Sequence, residues 1–467
     1  MSGTSAAGSG GASRDSDLVA GHLRHARTRA DAAHVELVRE RVSLLRYGNR
    51  QITYQHDEER ALLRIRLVRG DREGWALVET ASKDRVEAAI ERLAAALDLL
   101  PAGDPAPMPQ PWSQPAGPAA ACEATVLVTP AERADAFAIL AEAVPGSIGL
   151  GGSISTRVLD TVVANTAGLE VAEQRTRAAL QVVASGAHGS TLVRRIGTCW
   201  DHIDPREAAA TAAAGVPDRP ARDLPGGPVR VLLGPQAVAT FAATLAHIGL
   251  GAVGPGGTVG PFGMTTSAPR GPADGASPAT TLSPLVTLTD DARDPGGLPA
   301  AFDCAGWPKR RVALVEAGRP VGVVHDARTA ALAGTQPTGH TAPPGWRFGS
   351  GPAVSHLMVS PGGDDADALL RRVDDGLLIE RVDYVRVVQP RQGIVTGTTR
   401  DGTRRILGGR IVGPVPQFRF TIGLLDLFRS IEAVGSRREH GEAPFIDAVV
   451  APAMVAAAFP IDAIARR

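Results

Sequence analysis

The sequence has few cysteines, no excess of charge of either sign and no long apolar run. Its 467 residues include three cysteines, Cys122, Cys199 and Cys304. These lie far apart and form no CxxC pair, which fits a reducing compartment and argues against a disulfide framework or a zinc ribbon. Lys plus Arg and Asp plus Glu both number 49, so a formal net charge of +0 gives no general attraction to nucleic acid.

The chain also lacks the apolar segments that direct proteins to membranes. Nowhere do roughly 18 apolar residues run together. The small, polar N-terminus, MSGTSAAGSGGASRDSD, has no apolar core of the kind found in secretory signals. We therefore expect a cytoplasmic protein that binds neither membranes nor nucleic acid, with a flexible tail at residues 1–15.

The length of the chain and the positions of its Pro- and Gly-rich segments predict two domains. With 44% hydrophobic residues the chain can bury large cores, and 467 residues exceed the usual size of one domain. The segment GVPDRPARDLPGG, which ends at Gly227, has the composition of an interdomain linker, and proline-rich residues 101–121 are typical of an extended connector. We predict an N-terminal domain, a linker and a C-terminal domain at residues 16–214, 215–228 and 229–467.

Apolar periodicity predicts sheets with covering helices in the N-terminal half. Leu63, Ile65 and Leu67 alternate with arginines, as in a strand with one solvated face. Further strands are predicted at residues 34–47, 51–55, 61–68, 75–79, 124–128, 158–164, 168–173, 179–183 and 190–195. Helices are predicted to start at Asp17, Ser82, Thr129 and Asp204. At the last two, the capping residue is followed by proline and, three positions on, by glutamate, which is the pattern of a capped helix start.

Residues 374–435 have the clearest organisation in the chain. Short segments of strand character are separated there by Gly, Pro or Asp-Gly turns. The strands are predicted at residues 377–379, 384–388, 394–398, 405–412 and 417–421. The apolar period then changes from two to nearly four, which predicts a helix that ends near Gly435. Its apolar positions are Ile422, Leu425, Phe428 and Ile431.

Several short motifs follow one another along the C-terminal half. They are Val315-Glu316-Ala317-Gly318, Thr338-Gly339, Ser360-Pro361-Gly362, Gly376-Leu377, Thr396-Gly397, Asp401-Gly402, Pro414-Val415 and Leu424-Leu425-Asp426. Their order resembles the TldD/PmbA family, once called modulators of DNA gyrase, whose members are the paired subunits of a zinc metallopeptidase. The resemblance implies an α+β fold of two domains, with N-terminal sheets under covering helices and a C-terminal domain built on a large, mainly antiparallel curved sheet.

The resemblance also identifies the helix on which metal chemistry would depend. Catalytic subunits of the family carry HExxxH there, so that two imidazoles bind Zn²⁺ and the glutamate activates water. If His247 occupies the second histidine position, Ala242 and Ala243 replace the other two residues. The late cysteine ligand of the family is absent as well. The chain therefore resembles the PmbA or TldE side of the pair, for which no catalytic residue and no metal ligand are expected and zinc belongs to the partner.

In the related heterodimers, both subunits enclose a cleft that accepts an extended peptide. Carried over to this sequence, Thr338, Gly339, His340, Thr396 and Gly397 are candidates for lining the cleft by backbone pairing. The long Gly/Pro/Ser/Thr-rich segment at residues 249–284 is typical of either a binding loop or a disordered loop.

Three functional interpretations follow. The first is a non-catalytic subunit that pairs with an HExxxH-containing TldD-like paralogue and shapes the cleft for a peptide or a small amide. Because Leu407-Gly408-Gly409-Arg410 replaces the customary turn of the family, this branch is a candidate for specialised metabolism. The second is a self-sufficient amide hydrolase with a dispersed site around His325, His340 or His356. The third is a non-enzymatic, homodimeric binding protein.

Overall fold

The computed structural model describes residues 9–79, 82–113, 120–253, 260–263, 280–343, 351–443 and 446–464. Most of the loop predicted at residues 249–284 lies outside these ranges, as do residues 1–8 of the predicted tail. No helix within the described ranges combines the length and the apolar character that crossing a bilayer requires.

The N-terminal half is a six-stranded antiparallel sheet in the order β3-β2-β1-β4-β5-β6. Its strands are β1 (Ala32–Gly48), β2 (Gln51–Arg69), β3 (Arg72–Val78), β4 (Gly149–Asn165), β5 (Glu170–Gly186) and β6 (Gly189–Gly197). The α-helices in this half are α1 (Ser9–Arg27), α2 (Lys83–Ala96), α3 (Glu123–Leu127), α4 (Pro130–Ala143) and α5 (Pro205–Ala214), with short 3₁₀ turns at Leu97–Leu99 and Trp200–His202. Two apolar clusters result, one under α1 and α2 and one under α4 and α5.

The helix starts at α4 and α5 form as their sequences predict. Thr129 accepts a hydrogen bond from the Glu132 backbone while the Glu132 side chain accepts one from the Thr129 backbone, which completes a capping box. Asp204 accepts bonds from the backbone N–H groups of Arg206 and Glu207. These local bonds explain why both starts are readable from sequence.

Three N-terminal predictions need correction. Helix α1 begins at Ser9, so residues 9–15 are helical rather than a tail. The segments predicted at 51–55 and 61–68 are one strand, β2, because the polar residues between them continue to pair with β1. The strand predicted at 124–128 is instead the short helix α3, since a brief apolar run does not distinguish a strand from a helix.

The prediction that the cysteines are reduced is also wrong for one pair. Cys122, just before α3, is joined to Cys199, just after β6, by a disulfide with the Cα atoms 5.1 Å apart. Beside it, Thr125 donates a hydrogen bond to the Thr198 carbonyl, so the same two segments are held twice. Cys304 is a free thiol. The 77-residue separation of the pair gives no local motif from which it could have been read.

The C-terminal half contains a ten-stranded, mainly antiparallel sheet and a four-stranded antiparallel sheet. The large sheet consists of β7 (Val229–Leu233), β8 (Leu288–Asp290), β9 (Val312–Glu316), β10 (Arg319–Pro320), β11 (His356–Val359), β12 (Gly376–Ile379), β15 (Arg404–Leu407), β16 (Arg410–Pro414), β18 (Ile431–Gly441) and β19 (Ala448–Phe459). The small sheet has the order β13 (Arg381–Gln389), β14 (Ile394–Arg400), β17 (Phe418–Gly423) and β20 (Ala463–Ile464). The helices are α6 (Pro235–Gly249), α7 (Ala327–Ala333), α8 (Ala366–Val373) and α9 (Leu424–Arg429), with a 3₁₀ turn at Pro390–Gln392. The fold is therefore α+β, as predicted.

Two predictions in the C-terminal stretch also need correction. The predicted strand 405–412 is a hairpin of β15 and β16, because Gly408 and Gly409 both adopt positive φ and reverse the chain in two residues. The predicted helix to Gly435 ends at Arg429. From Ile431 the chain is strand β18, which pairs with β19 in the large sheet.

The proline-rich connector has no helix or strand in its described residues, in agreement with its extended prediction. It nevertheless packs between the two halves. The Pro109 carbonyl accepts a hydrogen bond from Asn165 at 2.9 Å, and the Trp112 indole donates one to the Gly306 carbonyl at 2.9 Å. The Trp112 ring also meets Phe302 edge-on. The connector thus contacts both domains.

Candidate functional site

Helix α6 is held by its apolar face and leaves a second face open. Pro235 at its first turn follows Gly234 at the N-cap, and Phe241 packs against Phe420 and Phe459 in the main core. The opposite face borders a cavity of about 890 Å³, called the helix cavity here. Its helical wall consists of Gln236, Thr240, Ala243, Thr244, His247 and Ile248.

The wall facing α6 is the edge strand β13. Among the strands described, it pairs with β14 on one side, so its other backbone edge is open. Tyr384 has a positive φ of 50° and is 69% exposed, and the side chain of Val388 is 53% exposed. A strand with an open edge and exposed apolar side chains can pair with an extended peptide.

Charged side chains at the rim of the helix cavity are already paired with each other. Glu442 lies 2.9 Å from Arg194 and 3.6 Å from Arg177, which links the C-terminal half to strands of the N-terminal sheet. Burial lowers the pKa of the Arg194 guanidinium, although Glu442 opposes the shift. These residues position the two halves around the cavity.

The residues at α6 do not fit a zinc ion. Ala242 is fully buried in the core, and Ala243 contributes only a methyl group to the cavity wall. His247 is the single imidazole on this face of the helix. Within the described ranges, no three His, Cys, Asp or Glu side chains are grouped so that they could hold a metal ion. A catalytic zinc site needs three protein ligands, so no step of metal chemistry is assigned to this helix.

The predicted cleft residues fall into two separate places. Thr396 and Gly397 lie in β14, which pairs with β13 on one side and β17 on the other, so their backbone is not at an open edge. Gly397 is required by packing, since a Cβ atom there would lie 2.7 Å from the Phe420 ring. The open edge beside them is β13.

Thr338, Gly339 and His340 lie in a loop next to the N-terminal domain. His340 is 1% exposed; its Nε2 lies 2.9 Å from Asp290, and its Nδ1 lies 2.9 Å from the Thr338 hydroxyl. Gly339 adopts φ of 76° against the Pro308 backbone, which a side chain would strike. The loop therefore positions His340 rather than offering a free strand edge.

The three histidines of the hydrolase interpretation belong to one buried network. Asp290 accepts hydrogen bonds from the backbone N–H groups of Ser355 and His356 and faces His340. The Thr338 hydroxyl donates to the His325 carbonyl at 2.9 Å, which adds the third histidine. Burial lowers the pKa of His356 to about 4, with the Lys309 charge acting in the same direction. Burial alone would raise the pKa of Asp290, but His340 outweighs it and holds that pKa low.

This network borders a second cavity, of about 530 Å³, called the interdomain cavity here. Strands β1 to β5 of the N-terminal sheet form one wall, and loops of the C-terminal half form the other. Charged residues from both sides line it, among them Glu36, Glu40, Arg64, Glu173, Arg175, Asp303, Lys309 and Asp447. Burial raises the pKa of Glu36, Glu173 and Asp303 and that of the Cys304 thiol beside them.

Sequence reasoning missed this cavity except for His340. A signal was present in β1, where Ala33, Val35 and Leu37 form one apolar face while His34 and Glu36 occupy the other face and are equally buried. Buried charges on the second face of a strand indicate that another domain covers it. Glu36 pairs with Arg64 of the neighbouring strand β2, whereas the segments that cover this face lie hundreds of residues away in the sequence.

Comparison with known proteins agrees with this fold. Residues 226–462 match the family model described as the PmbA/TldA metallopeptidase C-terminal domain. No curated protein matches the chain. Among solved structures, TldE from Thermococcus kodakarensis has a TM-score of 0.80 and 20% identity, covering 95% of this chain and 99% of that chain.

Two further structures are similar at lower identity. A putative modulator of a DNA gyrase from Thermotoga maritima has a TM-score of 0.77 and 18% identity, with 96% of this chain and 99% of that chain covered. A putative modulator of DNA gyrase from Bacteroides thetaiotaomicron has a TM-score of 0.72 and 14% identity, with coverage of 97% and 99%. At such identities these likenesses concern the fold, while the family model spans more than half of the sequence. The chain belongs to the TldD/PmbA family.

Proposed function

We propose that this chain is the non-catalytic, TldE/PmbA-like subunit of a heterodimeric TldD/TldE-type zinc metallopeptidase. It shapes the substrate cleft, and an HExxxH-containing paralogue supplies the zinc and the catalytic glutamate. The observation that carries the proposal is the open face of α6, where Ala243 and His247 border a large cavity without a carboxylate or a second imidazole on the helix. A wall of this kind can hold a substrate but cannot activate water through a metal.

The substrate class follows from the strand opposite α6. The open edge of β13 offers backbone N–H and C=O groups to an extended chain, and alternate side chains can contact the exposed Tyr384 and Val388. An unstructured peptide, or a small amide in a branch devoted to specialised metabolism, fits such a wall. A folded protein surface would not bring a single extended backbone to it.

The decisive experiment is affinity purification of the chain from its native host, followed by mass spectrometry and metal analysis. We expect a protein of similar size that contains HExxxH, in stoichiometric amount, and about one zinc per pair. Recovery of the chain as a homodimer without zinc would contradict the heterodimer and favour the non-enzymatic binding protein.

A matched pair of variants tests the role of β13. Val388→Asp places a charge on the open edge, whereas Ile464→Asp places one on β20, the other edge strand of the same sheet. Both positions are more than half exposed, at 53% and 60%. We expect the first variant to raise the KM of the purified pair for peptides and the second to leave it unchanged. Equal changes in KM would show that β13 does not line the cleft.

A second candidate function is a self-sufficient amide hydrolase. It is favoured by the His340 imidazole, which lies 2.9 Å from Asp290 and lines a cavity, while His325 and His356 join the same network through their backbone. Hydrolysis by the isolated, metal-free chain that disappears in alanine variants of these histidines, with folding retained, would establish it. Activity that requires the paralogue would exclude it.

A further inference from the structure

We propose that the interdomain cavity is a binding site for an α-carboxylate with an apolar side chain, as at the C-terminus of a peptide or in a free amino acid. The inference goes beyond the proposed function, because the cavity lies between the two domains of this chain and needs no partner subunit. Its volume of about 530 Å³ suits a ligand of one or two residues.

Two cations of the cavity, Lys309 and Arg175, have donors to spare. The Lys309 ammonium is 2.6 Å from the Ser355 hydroxyl and, in the described part of the chain, has no carboxylate within 4.0 Å. Arg175 reaches Glu173 at 3.4 Å and Asp447 at 3.8 Å, both longer than the roughly 2.7–2.9 Å of a well-formed charged hydrogen bond. Two cations in one cavity therefore lack a close carboxylate partner.

The carboxylates, in contrast, are occupied by the backbone of the protein. Asp303 accepts from the N–H groups of Ala305, Trp307 and Thr341, and Glu173 accepts from Ala301. Asp290, behind the wall, is likewise held by backbone donors. Because Asp303 and Glu173 already accept from the backbone while Lys309 and Arg175 lack a close carboxylate, we take the missing group to be an acceptor, and a carboxylate is the acceptor that best suits two cations.

The rest of the cavity specifies what accompanies the carboxylate. Val38, Leu62 and Leu159 of the N-terminal sheet form an apolar strip in the wall opposite Lys309. The Asp447 side chain is 38% exposed, and although burial would raise its pKa, Arg175 and His356 outweigh that effect and keep it ionised. A carboxylate next to an N–H group and an apolar side chain is the arrangement found in amino acids and at peptide C-termini.

The scarcity of lysine in the chain also singles out Lys309. The chain has only two lysines, Lys83 and Lys309, among its 49 basic residues. Lys83 lies on the surface, with a side chain that is 73% exposed. An ammonium is a compact charge with three rotatable donors, whereas a guanidinium is a planar fork. In a protein that otherwise uses arginine, a lysine inside the cavity provides the smaller group that leaves space for a ligand.

The two lysines also provide the test and its internal control. Reductive methylation with ¹³C-formaldehyde labels both lysine amines, which keep their charge and one N–H donor, together with any free α-amine; Lys83→Arg and Lys309→Arg identify the two lysine signals. We expect N-acetyl-leucine to shift the Lys309 signal saturably and to leave that of Lys83 in place. N-acetyl-leucinamide, which lacks the carboxylate, should shift neither. An unmoved Lys309 signal, or an equal shift with the amide, would overturn the proposal.

Calorimetry on the unlabelled full chain gives an independent measurement. Lys309→Met should weaken N-acetyl-leucine binding by about tenfold or more, while Lys83→Met leaves it unchanged and Lys309→Arg restores part of it. Unchanged affinity in a folded Lys309→Met protein would contradict the site. Leucine and a tetrapeptide ending in leucine then separate the two ligand sources: tighter binding of the peptide supports a C-terminus, and tighter binding of leucine supports a free amino acid.

Discussion

The two cavities of this protein differ in where their charged side chains lie. In the helix cavity the wall formed by α6 has glutamine, alanine, threonine, isoleucine and a single histidine, and the charged side chains lie on β13 and at the rim. The interdomain cavity is crowded with buried carboxylates and cations, although no motif points to it. The difference teaches that buried charge in this chain concentrates where the two domains meet, whereas the wall formed by α6 offers mainly small, uncharged groups.

The largest effect expected from this comparison concerns Asp290. Asp290→Ala should lower the free energy of unfolding by about 3–5 kcal/mol, because His340 and two backbone N–H groups would lose a fully buried partner. Urea unfolding measures it, with Asp98→Ala as the control, since Asp98 is 70% exposed in its pair with Arg69. A loss below about 1 kcal/mol would mean that the charges of the interdomain cavity are not structural.

The pH dependence of stability tests the buried polar face of β1, which carries His34. Burial, together with the charges of Arg66 and Arg64, lowers the pKa of His34 to about 3. The unfolded chain, with a histidine pKa of about 6.5, binds the proton first, so the stabilisation due to neutral His34 is complete above that pH and is lost as the pH falls toward 3.

His34→Gln should remove this dependence. Between pH 7 and pH 4.5 the wild-type protein should lose about 2–3 kcal/mol more than the variant. Urea unfolding at both pH values checks this, with His56→Gln, whose side chain is 48% exposed, as the control. Glu36 acts in the opposite sense, because its raised pKa favours folding at acid pH, but it is common to both proteins and cancels. Identical slopes would show that His34 is not desolvated.

At the helix cavity, neighbouring alanines should respond differently. Ala242→Val adds two methyl groups to a filled core and should cost about 1–3 kcal/mol of unfolding free energy. Ala243→Val projects into the cavity and should cost only the helix propensity of valine, below about 0.7 kcal/mol. Because both changes carry the same propensity, the difference in urea midpoints isolates packing. Equal values would place both methyl groups in the core.

The smallest effect is expected for a charge at the rim of the helix cavity. Glu442 pairs with Arg194 but is 52% exposed, so Glu442→Gln should cost at most about 1 kcal/mol. The effect should shrink further in high salt, because exposed pairs are screened. Thermal unfolding at two salt concentrations measures it. A loss of unfolding free energy comparable with that of Asp290→Ala would show that charges at the two cavities contribute equally to stability.

The helix starts that were predicted correctly depend on local sequence patterns. The capped starts at Thr129 and Asp204 depend on residues within four positions of each other, and both formed. The helix predicted through Gly435 failed because the apolar spacing of Ile422, Leu425 and Phe428 continues by coincidence into Ile431. Residues from Ile431 onward are strand because they pair with β19, a tertiary contact that overrides local period.

The sites were less readable than the fold. A prediction for Ala242, Ala243 and His247 was possible because a motif has fixed spacing on one element, and their match to the metal positions of the family stays a prediction. The interdomain cavity brings Glu36, Glu173, Lys309 and Asp447 together from separate segments, and without the fold no spacing relates them. His340 was named as a strand-edge residue, but its burial against Asp290 gives it a different environment from that prediction.

The connector described above gives the chain an unusual response to proteases. A proline-rich segment without helix or strand normally marks the place where domains can be cut apart. Here Pro109 and Trp112 are hydrogen-bonded to Asn165 and Gly306, respectively. Because these two residues belong to different domains, the segment links the two domains. Because the segment joins two parts of the same N-terminal sheet, a cut within it should leave the two fragments associated until denaturant is added.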